Sequence, residues 1–278
     1  MKYNICIIRP HNYVHSSAFT ELAELVCFGL RDLGHSVSVH ENYIDNKSCN
    51  IIIGCHLLDP ASADRIPTST IIINTEQLLK EEDSWLNRVA PWVSHFETWD
   101  YSRSNLDKLS TLPHHKLGFL PIGYHNELAR IESFAEHDID VLFYGSINER
   151  RQKILVDLHR AGLKVHTVFG VYGPQRDALI ARSKIVLNLH FHQSHIFEIV
   201  RVFYLMINAK AVVGEVGENT AIETCYEGGI QPALYDDLVE WCQTLAFDDE
   251  LRRSLEEKAF DTIRRMPQGE LMAPLLGC

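Results

Sequence analysis

No apolar run in the 278-residue chain approaches the ~18–20 residues needed to cross a bilayer. The opening stretch, Met1 to Arg9, is too short in apolar residues for a secretory signal and offers no small-residue cleavage site. Cysteine is sparse. The seven residues (Cys6, Cys27, Cys49, Cys55, Cys225, Cys242 and Cys278) are odd in number and show no C-x-x-C spacing. That excludes a disulfide framework and predicts reduced thiols in a cytoplasmic protein. Basic charge is short as well: 26 Lys and Arg stand against 37 Asp and Glu, a formal net charge of −11. Such a balance disfavours coating of nucleic acid or of an anionic membrane, although it leaves room for a local basic pocket. There is no internal repeat, no low-complexity tract and no G-x-G-x-x-G. With 46% apolar and 23% charged residues the composition is globular, and the length suits one large domain or two small ones.

Short β-type runs alternate with helical periodicity. Residues 4–8, 36–40, 50–53, 69–73, 94–98 and 116–120 read as strands. Helices are expected over 17–33, 81–89 and 104–109; in the first, Phe19, Leu22, Leu25, Val26, Leu30 and Leu33 recur every three to four residues. Strands apolar on both faces suit a parallel sheet covered by helices. From 121 to 137 the chain turns irregular and polar. A second array follows, with strands over 139–144, 164–169, 184–189 and 211–214 and helices over 148–161, 174–183, 196–208, 235–245 and 249–266. The reading is α/β, with domains at 1–122 and 139–278, a linker at 123–138, and a cleft between the domains.

Ligands of open parallel sheets bind beyond the carboxyl ends of the strands, so the polar residues at those ends are the candidates. Gly145 lets backbone approach a ligand closely, and the helix that follows offers N–H groups to a phosphate. Ser146, Asn148, Arg150, Arg151 and Lys153 surround that turn; the plainer alternative is that the cations are solvated surface charges. Glu198 and Arg201 lie three apart in an apolar helix and would share a face. They read either as an internal ion pair or as a sugar-hydroxyl acceptor and a phosphate clamp. His190, His192 and His195 lie in one strand-end loop, but without a carboxylate or cysteine at zinc spacing they read as ligand-lining rather than metal-binding. In the first half, His11, His15, Glu76 and Asp100 are the candidate general bases, each with a capping or surface role as the alternative.

The stretch with Asp140, Val141, Leu142, Phe143, Tyr144, Gly145 and Ser146, then Arg150 and Arg151, then Leu187, Asn188, Leu189 and His190, then Glu198 and Arg201, then Ala211 to Gly214, resembles the donor-binding half of GT-B glycosyltransferases. It is most similar to the bacterial and viral glycosyltransferase-family-1-like proteins. Asn74, Glu76 and Gln77, Trp99 to Ser102 with Asn105, and Pro121 to Tyr124 resemble the same group. The resemblance implies two Rossmann-like domains, a nucleoside diphosphate sugar (with UDP expected) held by the second, an acceptor held by the first, and no metal or other cofactor. It also implies that the C-terminal segment returns to the first domain. Many retaining members carry two glutamates seven residues apart here; the corresponding places are Ile196 and Tyr204, so retention and inversion both stay open.

The expected function is therefore a metal-independent hexosyltransferase acting on a carbohydrate or other hydroxyl acceptor. Arg150, Arg151 and Arg201 would stabilise the leaving diphosphate, and Asn188 with Glu198 would orient donor hydroxyls. A phage-type enzyme that glucosylates hydroxymethylated DNA is a second reading, disfavoured by the net charge and marked by steep salt dependence. A nucleotide- or sugar-binding module without turnover is a third, marked by nucleotide binding with no donor hydrolysis. A protein-interaction scaffold would have no need of Glu198 and Arg201 at a strand end.

Overall fold

The computed structural model describes residues 1–78, 83–132, 136–191 and 196–277, the side chains of 83 and 84 apart. Two compact units emerge, residues 1–125 with 266–278 and residues 126–265.

The first unit holds strands β1 (Lys2–Ile7), β2 (Ser36–Glu41), β3 (Cys49–Ile53), β4 (Ile71–Asn74), β5 (Glu97–Asp100) and β6 (Lys116–Phe119), with helices α1 (Thr20–Asp32), α2 (Asp83–His95) and α3 (Arg103–Leu109). All pairings are parallel, in the order β2-β1-β3-β4-β5-β6. The isoleucines of β3 and β4 face one another in register, Ile51 to Ile71 and Ile53 to Ile73, and are buried. Burial on both faces is what selects an uninterrupted apolar run for such strands. Cys6, Ile52 and Ile72 pack against Trp92 and Phe96 at the end of α2. This packing carries α2 through Pro91 to His95, beyond the expected end at 89, and delays β5 to Glu97 where a strand was expected from 94. The start of that expected helix, at 81 and 82, lies outside the described residues.

The second unit holds β7 (Ile139–Tyr144), α4 (Glu149–Arg160), β8 (Val165–Val168), α5 (Gly173–Arg182), β9 (Ser183–Asn188), α6 (Ile199–Ile207), β10 (Ala211–Glu215), α7 (Thr224–Glu227), β11 (Gln231–Ala233), α8 (Leu238–Phe247) and α9 (Asp249–Arg264). Its parallel sheet runs β11-β10-β9-β7-β8. Val141, Phe143, Ile185, Leu187 and Val213 pack against Leu155 and Leu158 of α4 and Leu238 and Leu245 of α8. One expectation is corrected. Residues 196 and 197 are not helical: Ile196 bridges Ala221 and the Phe197 N–H bonds the Ala221 carbonyl, so α6 begins at Ile199 with Glu198 as its cap residue.

Residues 121–132, expected as a polar linker, are packed. Ile122 and Leu128 are buried, and the Asn208 amide oxygen accepts from the N–H groups of Arg130 and Ile131. The chain then returns to the first unit as α10 (Gln268–Leu276), which lies on α1. Tyr124 bridges Pro267, and buried Gln268 accepts from the Gly123 N–H at 2.7 Å while donating to the Pro121 carbonyl at 3.1 Å. Gly123 is required by this approach, because a Cβ there would stand 2.1 Å from the Met266 carbonyl oxygen.

Candidate active site

In each sheet the strand order reverses once: between β1 and β3 in the first, and between β7 and β9 in the second. Connections leave in opposite directions at such a point, opening a crevice at the carboxyl edge where ligands of doubly wound sheets bind.

At the β7/β9 crevice of the second unit the chain turns through Gly145 at φ +151°. A Cβ at that position would lie 3.5 Å from Arg151 Nη1 and 3.7 Å from Arg201 Nη1, so two guanidinium groups converge on the turn. Their environments differ. Arg151 is buried and donates to the carbonyls of Ser146, Leu189 and His190, tying the loop after β7 to the loop after β9. Burial, with Arg201 and Arg150 nearby, lowers its pKa to about 10 despite Glu198 and Glu215. Arg150 makes a fork-to-fork pair with Glu215, one bond of which is 2.8 Å, and lies 4.0 Å over the Tyr235 ring. Glu215 also accepts from the His190 N–H at 3.1 Å. Arg150 is thus committed inside the protein, neither a solvated charge nor an open clamp. Arg201 donates one hydrogen bond among the described residues, at 3.4 Å to the Tyr144 carbonyl, with its guanidinium 5.6 Å over that ring. Most of its N–H groups have no protein partner among the described residues.

Asn148 caps α4, accepting from the Arg151 N–H at 3.0 Å and donating to the Phe191 carbonyl. Glu198 does not pair with Arg201 along a helix face, as the spacing suggested. Its Oε2 lies 2.7 Å from Asn188 Nδ2 and 3.2 Å from His190 Nδ1. Burial pushes the Glu198 carboxyl up, but His190, Arg201 and Asn188 outweigh it and bring its pKa to about 2. Burial works against charge on His190 too, yet Glu198 and Glu215 raise its pKa. Three buried atoms of this cluster have no hydrogen-bond partner among the described residues: Asn188 Oδ1, an acceptor, and both His190 ring nitrogens, of which Nδ1 lies near Glu198 Oε2 as an ionic contact only. His192 and His195 lie outside the described residues. Glu215 and Tyr235, which brace Arg150, were not singled out from sequence; the one available signal was an acidic residue ending an apolar strand run.

The candidate bases of the first unit separate equally clearly. Asp100, 0% exposed, accepts from Asn74 at 2.7 Å, from the Ser102 N–H at 2.8 Å and from Asn105 at 3.0 and 3.2 Å. Both its oxygens are engaged, so it is an internal strut joining β4, β5 and α3 rather than an open base. Ser102 is the α3 cap, its hydroxyl accepting from the Asn105 N–H at 3.4 Å. Burial raises the Asp100 pKa to about 7 against those hydrogen bonds. His11 is exposed in the turn after β1, and His15 sits edge-on to Tyr13 at 5.2 Å. Glu76 follows β4, with its carboxylate 3.2 Å from Nε2 of His56, a residue in the 3-10 turn (Cys55–Leu57) after β3. No group of three or more His, Cys, Asp and Glu that could hold a metal ion occurs among the described residues.

The two parallel-sheet α/β units match the GT-B fold of solved glycosyltransferases. Anabaena HepE, solved with UDP, matches with a TM-score of 0.62 and 12% identity over 100% of both chains. The DNA-modifying enzyme β-glucosyltransferase, solved with and without uridine diphosphoglucose, matches with a TM-score of 0.63 and 12% identity over 100% of this chain and 99% of that one. Among curated proteins, one uncharacterised protein of Acanthamoeba polyphaga mimivirus is 31% identical over 167 residues, 58% of this chain but 18% of that protein. Another from the same virus is 25% identical over 256 residues, 89% of this chain and 80% of its own length. The match to the first spans about a fifth of that relative. No family model matches the chain.

No helix among the described residues is long and apolar enough to cross a membrane.

Proposed function

We propose that the chain is a glycosyltransferase that moves a sugar, a hexose in our reading, from a nucleoside diphosphate sugar to an acceptor hydroxyl, with UDP as the nucleotide and without a resident metal or cofactor. The observation that carries this reading is the convergence of Arg201 and Arg151 on Gly145 at the point where the second sheet reverses. Arg201 has donors to spare, so it takes the diphosphate; Arg151 and Arg150 hold the loops that shape the turn. As the bond from the sugar to the diphosphate breaks, negative charge grows on the phosphoryl oxygens. Arg201 and the N-terminus of α4 stabilise that charge in place. The unpartnered Asn188 Oδ1 accepts from a donor hydroxyl, with Glu198 holding the Asn188 amide in place. Four buried free thiols, Cys6, Cys27, Cys55 and Cys242, suit a reducing compartment such as the cytoplasm.

Thermal denaturation against nucleoside diphosphates tests the reading. UDP binding only the native state raises Tm by mass action. Arg201→Ala is expected to weaken UDP about 10- to 100-fold, the range of a charge-assisted hydrogen-bonded contact, and to lower turnover by orders of magnitude without unfolding the chain. A Tm indifferent to every nucleoside diphosphate removes the proposal. The likeness to the DNA-modifying β-glucosyltransferase favours one second reading, in which the acceptor is a hydroxymethylated base in DNA.

A further inference from the structure

We infer that Glu76, oriented by His56, is the base that takes the proton of the acceptor hydroxyl, and that the acceptor presents that hydroxyl on a ring held among aromatic side chains of the first unit. The inference rests on the transferase reading and adds the acceptor's chemistry and the stereochemical course to it.

Strand β1 pairs with β3 and β3 with β4, so the carboxyl ends of these three strands lie side by side. Tyr13, His56 and Glu76 come from these three strand ends in turn. Glu76 Oε1 is the anchored oxygen, 3.2 Å from His56 Nε2 and 3.5 Å from Thr75 Oγ1. Oε2 has no partner among the described residues, and the side chain is 21% exposed. A carboxylate with one oxygen tied and the other open can receive a proton from a bound molecule, which Asp100, with both oxygens engaged, cannot. His56 is itself fixed: its side chain is 4% exposed, edge-on to Trp85 at 5.3 Å and to Phe19 at 6.2 Å. A ring wedged between two aromatics points its Nε2 one way, so it is a positioning residue for Glu76.

The charge state agrees with this division of labour. Burial lifts the Glu76 pKa to about 7, with the Thr75 hydroxyl opposing, while burial and then Arg88 bring His56 to about 4. Tyr13 and Cys55 are the other titratable groups that feel Glu76, and both are raised. Near neutral pH His56 is therefore uncharged and packs its ring against Glu76 Oε1, and Glu76 is poised between carboxyl and carboxylate, the range in which a base operates best. Aromatic side chains lie beside the pair: Tyr13, 36% exposed and close enough to feel the Glu76 charge, and Trp85, with Arg88 5.5 Å from its ring. Small-molecule sites are lined mainly by apolar and aromatic side chains with a few placed polar groups, and the carbon–hydrogen face of a sugar ring would pack on such rings.

The step balances. The acceptor oxygen bonds to the sugar's anomeric carbon and loses its proton to Glu76 Oε2. The bond to the diphosphate breaks, and its electron pair leaves with the phosphate oxygen. A single displacement of this kind inverts the configuration, so an α-linked donor yields a β-linked product.

The test uses the full chain with UDP-glucose, and with either methyl glucosides or water as acceptor. UDP release gives the rate, and proton NMR of the first-formed product gives its configuration. Glu76→Gln, which keeps the contact with His56, is expected to lower the rate about 100-fold or more while the UDP-induced Tm shift stays that of wild type. Added formate restores part of the rate to Glu76→Ala. His56→Leu removes the contact that holds Oε1 and is expected to lower kcat with little change in KM, and His56→Gln restores part of it. Wild-type rates in Glu76→Gln, or a product of retained configuration, overturn the inference while leaving the transferase reading standing. A wild-type chain that neither binds UDP nor releases it from UDP-glucose overturns both.

Discussion

Asp100, buried, and Glu76, half-buried, are acids at adjacent strand ends, both with pKa raised to about 7 by desolvation. In the sequence they are equivalent, each an acid just past an apolar run. What separates them is the number of open lone pairs, and that depends on Asn74, Asn105 and the Ser102 N–H arriving from other elements. The same holds for Arg150, Arg151 and Arg201, which are alike as cations and unlike in how many donors remain free. Asp100 therefore bears on stability rather than on turnover. Its four contacts all come from donors, so Asp100→Asn sets an N–H against an N–H and is expected to cost about 1–3 kcal/mol. The pH dependence has a definite sign. A carboxyl whose pKa is higher folded than unfolded supports the fold fully below the unfolded value near 4, and loses that contribution as pH rises through about 7. The unfolding free energy of wild type relative to Asp100→Asn should thus decline from pH 4 to pH 7. Denaturant titrations at several pH values would show this, and a gap that widens with pH would refute it.

Elements were legible where one physical cause dominates. The isoleucine runs of β3 and β4 and the helix periodicity of α1 follow from burial alone, and these strands and helices lie within a few residues of their expected bounds. Misreadings fall where a distant partner decides. Ile196 and Phe197 continue an apolar pattern into α6, but the Ala221 backbone draws them into an extended pairing. Helix α10, preceded by Pro267 and carrying Pro274 within it, has too short a pattern to announce itself; it exists because Gln268 and Met272 fill the space beside Gly29 of α1. β11 is three residues long with Pro232 in the middle, tolerated at a sheet edge where no N–H is needed. The pinning of 123–124 to 266–268 is therefore a stability determinant that no local pattern reveals. Gly123→Ala would drive a methyl group into the Met266 carbonyl, and Gln268→Ala would leave the Gly123 N–H without its acceptor. Each variant is expected to lose about 1–3 kcal/mol, with Gly123→Ala the more costly, because backbone must move to relieve it. Equal stability of Gly123→Ala and wild type in thermal melts would show that this contact is not required.

The charge of the whole chain bears on the acceptor. A formal charge of −11 repels a polyanion at long range, whereas a neutral sugar feels nothing of it. A local basic groove could still bind DNA, but only by displacing counterions from the phosphates it contacts. Six to ten such contacts cost about 10³- to 10⁵-fold in affinity between 50 and 200 mM salt. With a methyl glucoside as acceptor, kcat/KM is expected to change by less than about tenfold over that range, because in the proposed reaction only the UDP-sugar would carry charge, and Arg201 with the N-terminus of α4 would be its few contacts. Running the same salt series with hydroxymethylated DNA separates the two acceptor readings without knowledge of the natural substrate. A shallow series with sugar and no turnover on DNA upholds a carbohydrate acceptor. Turnover on DNA that collapses as salt rises would assign the enzyme to nucleic acid in spite of its net charge, with the phosphate contacts then confined to a patch that the sum over the chain conceals.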